Sequence, residues 1–323
     1  MIITRSPLRI TLGGGGTDLP SYYNEYGGFC AAAAIDKYVY IAINQNFTKK
    51  LIVKYSETEV VEKAAELKHS IIRECFRLVG IEGQGLEISC FADIPAGTGL
   101  GSSSAFTCAL LKALYNLEGI ILNSNTLAEK SCYIEMIRLN QPIGKQDQFI
   151  SAYGGIKEMT FSRSGVEISE LIMSNNTKED LNENLLLFFT GYSRDASFIL
   201  KDQNDKSIST DSTMLENLRL TKDMGMRSSE ALKQGDTELF GRLLHEHWLN
   251  KKERSNGMSN STIDALYEVG INKGIYGGKL IGAGGGGFLM FYTRYPEDLK
   301  REMAALKIKE VPFTFDYVGT TIL

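Results

Sequence analysis

The chain has 323 residues, 43% hydrophobic and 23% charged, a balance that supports a buried core and leaves room for two domains. Its net charge of −4 supplies no broad positive field, which argues against nucleic acid and anionic membrane as partners, so a phosphate-bearing ligand needs a local site. No apolar run approaches the roughly 20 residues of a membrane span, and Met1–Leu12 lacks the apolar centre of a signal peptide, so the cytoplasm is the expected location.

In chain order, Met1–Arg5 and Leu8–Leu12 read as strands broken by Pro7. Tyr38–Asn44 and Leu51–Tyr55, rich in β-branched and aromatic residues, are also strands. Lys68–Val79 carries Ile71, Ile72, Cys75, Phe76 and Val79 ahead of Gly80, which predicts a helix with a glycine stop. His69 stands at its start without an evident partner. Leu86, Ile88 and Cys90 alternate with Glu87 and Ser89 as a half-buried strand does. Ala105, Phe106, Ala109, Leu110, Ala113, Leu114 and Leu117 form a helical stripe. Thr126 and Glu129, in capping-box spacing, open another helix to about Leu139. Strands at Gly155–Phe161 and Val166–Leu171 complete a mixed first half.

The second half starts with a strand at Leu185–Phe189 and turns helical over Ser212–Lys233, Thr237–Lys252 and Thr262–Lys273. Strands at Lys279–Gly282 and Phe288–Tyr292, a helix after Pro296 and a strand at Phe313–Val318 close the chain. The class is α+β, with a first domain over 1–165 and a second over 166–323. The five cysteines, Cys30, Cys75, Cys90, Cys108 and Cys132, show no C-x-x-C spacing and lie in apolar or helical stretches, so they read as small buried hydrophobes. His245 and His247, two apart on a helix, point to different faces and read, with Trp248, as packing.

Three glycine-rich loops carry the chemistry: Gly13-Gly14-Gly15-Gly16-Thr17-Asp18 after Arg9, Pro95-Ala-Gly97-Thr98-Gly99-Leu100-Gly101-Ser102-Ser103-Ser104, and Gly282-Ala-Gly284-Gly285-Gly286-Gly287. Such density points to backbone N–H groups brought close to an anion. In the second loop a strand enters, a helix leaves, and Ser102–Ser104 fall on its first turn, where free N–H groups and the helix dipole favour phosphate. No lysine precedes the serines as a Walker A loop requires. Gly282, Gly284 and Gly287 spell G-x-G-x-x-G, but the apolar strand at Phe288 stands where a dinucleotide fold needs a helix.

Pro95-x-x-x-Gly99-Leu-Gly101-Ser-Ser-Ser-Ala matches the ATP-loop signature of the GHMP kinases, and the other two loops resemble that family's remaining motifs in the same order. The resemblance spans nearly the whole chain. It implies a two-domain fold, ribosomal-protein-S5-domain-2-like at the N-terminus and a ferredoxin-like α/β sandwich at the C-terminus. It also implies ATP as donor and Mg²⁺ as cofactor. Gly144-Lys145-Gln146-Asp147-Gln148 looks like the galactokinase segment bearing the catalytic aspartate. By that likeness Asp147 accepts the acceptor proton, Arg9 and Lys145 join it as catalytic candidates, and Ser103 and Glu135 hold Mg²⁺. The nucleotide candidates are Pro95, Gly97, Thr98, Gly99, Leu100, Gly101, Ser102, Ser103 and Ser104.

Gly15 and Gly16 replace the Glu-His pair that grips sugar hydroxyls in galactokinases, which removes a carboxylate and admits an anion, while Thr17 and Asp18 remain. Gly13–Ile41, Gly144–Gln148 and Gly191-Tyr-Ser-Arg194 resemble the D-glycero-D-manno-heptose 7-phosphate kinases. The implied partner is therefore a small sugar phosphate, with a homodimer left open. Substrate candidates are Gly13, Gly14, Gly15, Gly16, Thr17, Asp18, Arg194, Lys279, Gly284 and Gly285, with Lys145, Arg194 and Lys279 for the existing phosphate. The competing readings are a fucokinase- or galactokinase-like sugar kinase and a non-catalytic ATP and sugar sensor; a nicotinamide oxidoreductase is disfavoured by loop context.

Overall fold

Two long strands form the spine: β1 (Ile2–Gly14) runs antiparallel to β2 (Gly28–Gln45), with the short helix α1 (Pro20–Tyr26) between them. The computed structural model describes residues 1–191, 197–255 and 257–323, apart from the side chains of residues 197 and 198. The chain continues through β3 (Leu51–Lys54), β4 (Thr58–Val61), α2 (Ser70–Val79), β5 (Leu86–Ala92), α3 (Ser102–Leu117), α4 (Ser124–Cys132), α5 (Gln146–Tyr153), β6 (Ile156–Ser162) and β7 (Gly165–Glu170). Then follow α6 (Asn175–Asn184), β8 (Leu185–Phe189), α7 (Ser197–Ile208), α8 (Ser212–Gln234), α9 (Thr237–Arg254), α10 (Ser261–Asn272), β9 (Gly277–Leu280), β10 (Phe288–Tyr292), α11 (Pro296–Ala305) and β11 (Thr321–Ile322).

The first sheet has the order β11-β1-β2-β5-β3-β4, with β6 on the first half of β2 and β7 beyond it. The second is β8-β10-β9, all antiparallel. One face of the first sheet packs on α2 to α5 through residues such as Ile41, Phe76, Leu110 and Phe149. The other, carrying Leu8, Ile10 and Leu12, shares a core with α8, α9 and the second sheet, including Leu232, Phe240, Leu244 and Met290. A third cluster around Trp248 and Phe291 fills the far side of the second sheet. The two halves are thus joined by a common apolar layer. The first sheet takes up the chain to Glu170, the second begins at Leu185, and the last strand returns to pair with β1.

Several elements differ from the sequence reading for identifiable reasons. Pro7 does not break β1. The ladder slips between Pro7 and Leu8, and that bulge absorbs the missing N–H. β2 begins ten residues before Tyr38, because Ala31–Ala34 are fully buried between two packed faces, which overrides the preference of alanine for helices. The helix expected from Thr126 is capped by Asn123, whose side chain accepts from the Thr126 N–H at 2.8 Å, and it loosens into a π-helical stretch over Tyr133–Arg138. Phe313–Val318 is not a strand. Phe315 forms a single bridge to Ile35, and the Asp316 carboxylate then turns the chain by accepting from the N–H groups of Val318 and Gly319. His69 caps α2, meets Tyr55 edge-on and stacks on Phe106. The cysteines are free, and burial pushes the Cys30, Cys75 and Cys132 thiols up, so they behave as packing groups.

Candidate active site

Strand alternation sends Leu8, Ile10 and Leu12 into the shared core and leaves Arg9 and Thr11 facing α5. Asp147 lies in the first turn of α5 rather than in a loop. Arg9 grips it as a fork: Nε donates to Oδ1 and Nη2 to Oδ2, both at 2.7 Å. The third guanidinium nitrogen, Nη1, donates to the carbonyl of Gly99 at 2.5 Å, which ties the pair to the serine loop. Gln146 braces the same carboxylate. Its Nε2 donates to Asp147 Oδ1 at 3.1 Å, and its Oε1 accepts from Thr11 and Cys30.

The serine loop turns through Gly97, Gly99 and Gly101, with φ of 77°, 82° and 77°, a region that side-chain-bearing residues avoid. Gly101 is the N-cap of α3 and supplies no side-chain cap, so N–H groups of the first turn stay available to an anion. Beneath it Glu135, fully buried on the π-helical stretch, accepts from Ser103 at 2.7 Å, Ser104 at 2.9 Å and Gln148 at 2.7 Å. Desolvation holds its pKa above the usual carboxylate value, against the lowering effect of those three donors.

On the opposite side of Asp147 lies Asp18, whose Oδ1 accepts from the Gly16 N–H at 3.0 Å and Oδ2 from the Gln146 N–H at 3.1 Å. A side chain at Gly144 would overlap the Asp18 carboxylate. Burial raises the Asp18 pKa, with the nearby Asp147 charge a smaller contributor in the same direction.

The second half of the chain brings cations to this cleft of about 240 Å³. Lys251 and Arg254 on α9 and Lys279 on β9 are each less than a tenth exposed, and none makes an ion pair among the described residues. Lys251 donates to the carbonyls of Leu280 and Gly282, and Arg254 to Asn217 and Thr221. Burial first, then mutual repulsion, pulls Lys251 well below the usual lysine value. Lys279 is drawn down by burial to about 7, and burial also brings Arg254 to about 10. His247 is buried beside them with neither ring nitrogen hydrogen-bonded. Gln203 on α7 closes the edge by donating to the Gly16 carbonyl at 2.7 Å.

Arg9, Asp147, Asp18, Gly14, Gly15, Gly16, Gly97, Gly99, Gly101, Ser102, Ser103, Ser104 and Lys279 therefore line one cleft. Several other candidates do not. Gly13 packs on Gly225 and Ser228 of α8, and the Thr17 hydroxyl donates to the Phe29 carbonyl. The Thr98 hydroxyl donates to the Pro95 carbonyl, and Leu100 is buried in the core. Glu135 sits behind Ser103 and Ser104. Lys145 turns away, 3.8 Å from Glu129 and over the Tyr23 ring. Gly284 and Gly285 face Met258, with the Gly285 N–H donating to the Met258 carbonyl. The third loop instead wedges against the second: a Cβ at Gly282 would lie 2.5 Å from Gly99 Cα. Arg194 lies outside the described residues. Sequence reading assigned no role to Thr11, Gln146 and Gln203, read His247 as packing, and passed over Lys251 and Arg254, all of which line the cleft. A signal existed for the last three, because Phe240, Leu244, His247, Lys251 and Arg254 continue one buried face of α9 from apolar into cationic.

Family models for the GHMP kinases match this chain twice, the N-terminal domain over residues 59–155 and the C-terminal domain over 228–310. A D-glycero-alpha-D-manno-heptose 7-phosphate kinase from Campylobacter jejuni is 28% identical over 90% of this chain and 89% of its own length. An L-fucokinase/L-fucose-1-P guanylyltransferase from Bacteroides fragilis is 27% identical over 95% of this chain, which spans 35% of that longer protein. The crystal structure of a D-glycero-D-manno-heptose 1-phosphate kinase from Bacteroides thetaiotaomicron superposes with a TM-score of 0.82 at 25% identity, covering 100% of this chain and 99% of that one.

Proposed function

The chain belongs to the GHMP kinases and is a sugar kinase that phosphorylates an alcohol; from that premise we propose that its acceptor is the anomeric hydroxyl of D-glycero-D-manno-heptose 7-phosphate. The product is the 1,7-bisphosphate, a precursor of nucleotide-activated heptose for surface polysaccharide. The carrying observation is the contact of Asp147 with the serine loop, where a Cβ at Gly101 would lie 3.1 Å from Asp147 Oδ2. A base and a phosphate cradle then share one cleft with Asp18 and buried cations.

ATP places its phosphates on the first turn of α3, and the acceptor lies between Asp18 and Asp147. The acceptor oxygen bonds to the terminal phosphorus as its proton passes to Asp147, and the bond to the bridging oxygen of ADP breaks. Arg9 orients the carboxylate and offsets charge on the transferred group. Ser103 Oγ and Glu135 Oε1, 2.7 Å apart, are hard oxygens suited to Mg²⁺, which when bound neutralises nucleotide phosphate charge. The cation would also relieve a carboxylate that burial holds in an unfavourable charged form. We assign residues 1–165 to nucleotide and base, and 166–323 to completion of the acceptor side.

The two heptose-kinase relatives differ in where the substrate phosphate is named, which makes the acceptor the point to test. In an ADP-release assay with phosphorus NMR of the product, heptose 7-phosphate is expected to be turned over to a species with a new anomeric phosphate. Turnover of L-fucose or free hexoses, with none of heptose 7-phosphate, rejects the assignment in favour of a fucokinase-like enzyme. A non-catalytic sensor has no use for the braced Asp147 base.

A further inference from the structure

We propose that Lys251, Arg254, Lys279 and His247 form a phosphomonoester subsite that takes the acceptor's own phosphate, separate from the amides that hold the nucleotide. The identity of the molecule that carries this phosphate rests on the reading above; the subsite itself does not. Buried cations are normally paired, because a desolvated charge without a counter-charge is costly. Here Lys251, Arg254 and Lys279 stand together without an ion pair among the described residues, Asp18 acting on Arg254 only at longer range. The groups that hold Lys251 and Arg254 are neutral: carbonyls of Leu280 and Gly282, and side chains of Asn217 and Thr221. They fix position without offsetting charge. Lys279 has no hydrogen-bond partner among the described residues. His247 adds a ring whose two nitrogens are buried and unpartnered on the same cleft wall. An anion is what this arrangement lacks. An arginine fork with two ammonium groups and an imidazole suits the three oxygens of a phosphomonoester.

Placement decides which phosphate. The Asp18 carboxylate is held between the Gln146 N–H, next to Asp147, and the Gly16 N–H. Beyond Gly16 comes Arg254, so close that a Cβ at Gly16 would lie 2.6 Å from Nη1. A sugar held at Asp18 with one end on Asp147 therefore points its other end at Arg254. The bare backbone at Gly15 and Gly16 leaves that direction open, and the first turn of α3, the proposed nucleotide cradle, is a distinct set of amides on the same cleft.

Orthophosphate is the probe. It is expected to inhibit the wild-type enzyme competitively against the sugar acceptor and not against ATP. Lys279→Met removes an ammonium that holds nothing else in place, and it is expected to raise the inhibition constant at least about thirtyfold, the lower range for truncating one member of a buried charge pair. Arg254→Met is expected to do the same, with Arg254→Lys restoring part of the effect and so separating charge from helix packing. Inhibition competitive with ATP, or an unchanged constant in both methionine variants, overturns the subsite. The acceptor reading fails independently. If heptose 7-phosphate is not a substrate, yet orthophosphate competes with the sugar that is and Lys279→Met relieves it, the subsite stands and the acceptor assignment falls. If heptose 7-phosphate is turned over while orthophosphate never competes with it, the assignment stands and the subsite falls.

Discussion

Arg9 and Asp147, 138 residues apart, meet through two hydrogen bonds of 2.7 Å that leave the carboxylate with unequal oxygens. Oδ1 accepts from both Arg9 Nε and Gln146 Nε2, which fills its two lone-pair sites. Among the described residues Oδ2 accepts from Arg9 Nη2 alone, and it is the oxygen that faces Gly101. The fork therefore turns the free lone pair of Oδ2 toward the serine loop.

Asp147→Asn keeps the shape but replaces an acceptor oxygen with an amide that confronts Arg9. Turnover is expected to fall by about two to four orders of magnitude, the usual weight of a general base. The dissociation constant of a non-hydrolysable ATP analogue should stay near the wild-type value, since the amides at α3 are untouched. Wild-type turnover in a single-turnover assay would remove Asp147 as the base.

If Glu135 holds Mg²⁺ as proposed, nucleotide binding is expected to depend on pH. Its folded pKa is raised above the ordinary 4.5, so the stability it lends is present below that value and is lost as pH rises through the folded one. Glu135→Gln should flatten this part of the stability profile of the ligand-free protein. Mg²⁺ binding requires the charged form, so affinity for a magnesium-bound analogue should tighten as pH rises over the same window, with proton release. Calorimetry in two buffers of different ionisation enthalpy reads the proton directly. No release in the wild type, or equal release in Glu135→Gln, would count against Glu135 as a ligand.

Much of the first half of the cleft was legible because glycine and serine report backbone demands locally. Gly97, Gly99 and Gly101 adopt the positive φ that their spacing suggested, and Ser102–Ser104 open α3. The third glycine run misled, since a glycine that admits a ligand and one that admits another loop look identical in sequence. Gly282 faces Gly99, and Gly284 faces Met258. The cations of α9 were hidden for a different reason. Lys251 and Arg254 continue the apolar face of α9 in register, but two charged residues at a helix end read as solvated until α8 and β9 pack over them. The π-helical stretch that aims Glu135 at Ser103 and Ser104 likewise leaves no mark in the apolar periodicity.

Lys279 should couple acceptor binding to proton uptake. Burial draws its pKa from 10.5 to about 7, with Arg254 and Arg9 adding repulsion. The folded protein thus prefers the neutral amine, and the stability this lends above pH 10.5 is lost as pH falls toward 7. A bound phosphate reverses the preference and favours the ammonium. The acceptor KM is therefore expected to rise between pH 7 and 9, while the ATP KM changes less. Lys279→Met should remove most of that slope; a slope that persists would place the titrating group elsewhere, with Lys251 or His247 next to be tested.

Two glycines should divide the cleft into its two functions. A methyl at Gly144 would overlap the Asp18 carboxylate, and Asp18 is held by the Gln146 N–H immediately beyond it. Gly144→Ala is expected to displace Asp18, the proposed acceptor anchor, and its nearest neighbours include no atom of the serine loop. Gly282 has φ of 81°, and a methyl there would press within 2.5 Å of Gly99 Cα, whose loop is the proposed nucleotide cradle. Gly282→Ala pays twice, in backbone strain and in contact. At matched folding, verified by thermal melting, Gly144→Ala is expected to raise the acceptor KM about tenfold or more with little change for ATP. Gly282→Ala should weaken ATP more than the acceptor, with a smaller acceptor effect through Lys251, which donates to the Gly282 carbonyl; each order of magnitude requires a loss of only about 1.4 kcal/mol in binding. If both variants weaken both ligands equally, the cleft responds as one rigid unit, and the division between an acceptor side at Asp18 and a nucleotide side at Gly99 is wrong.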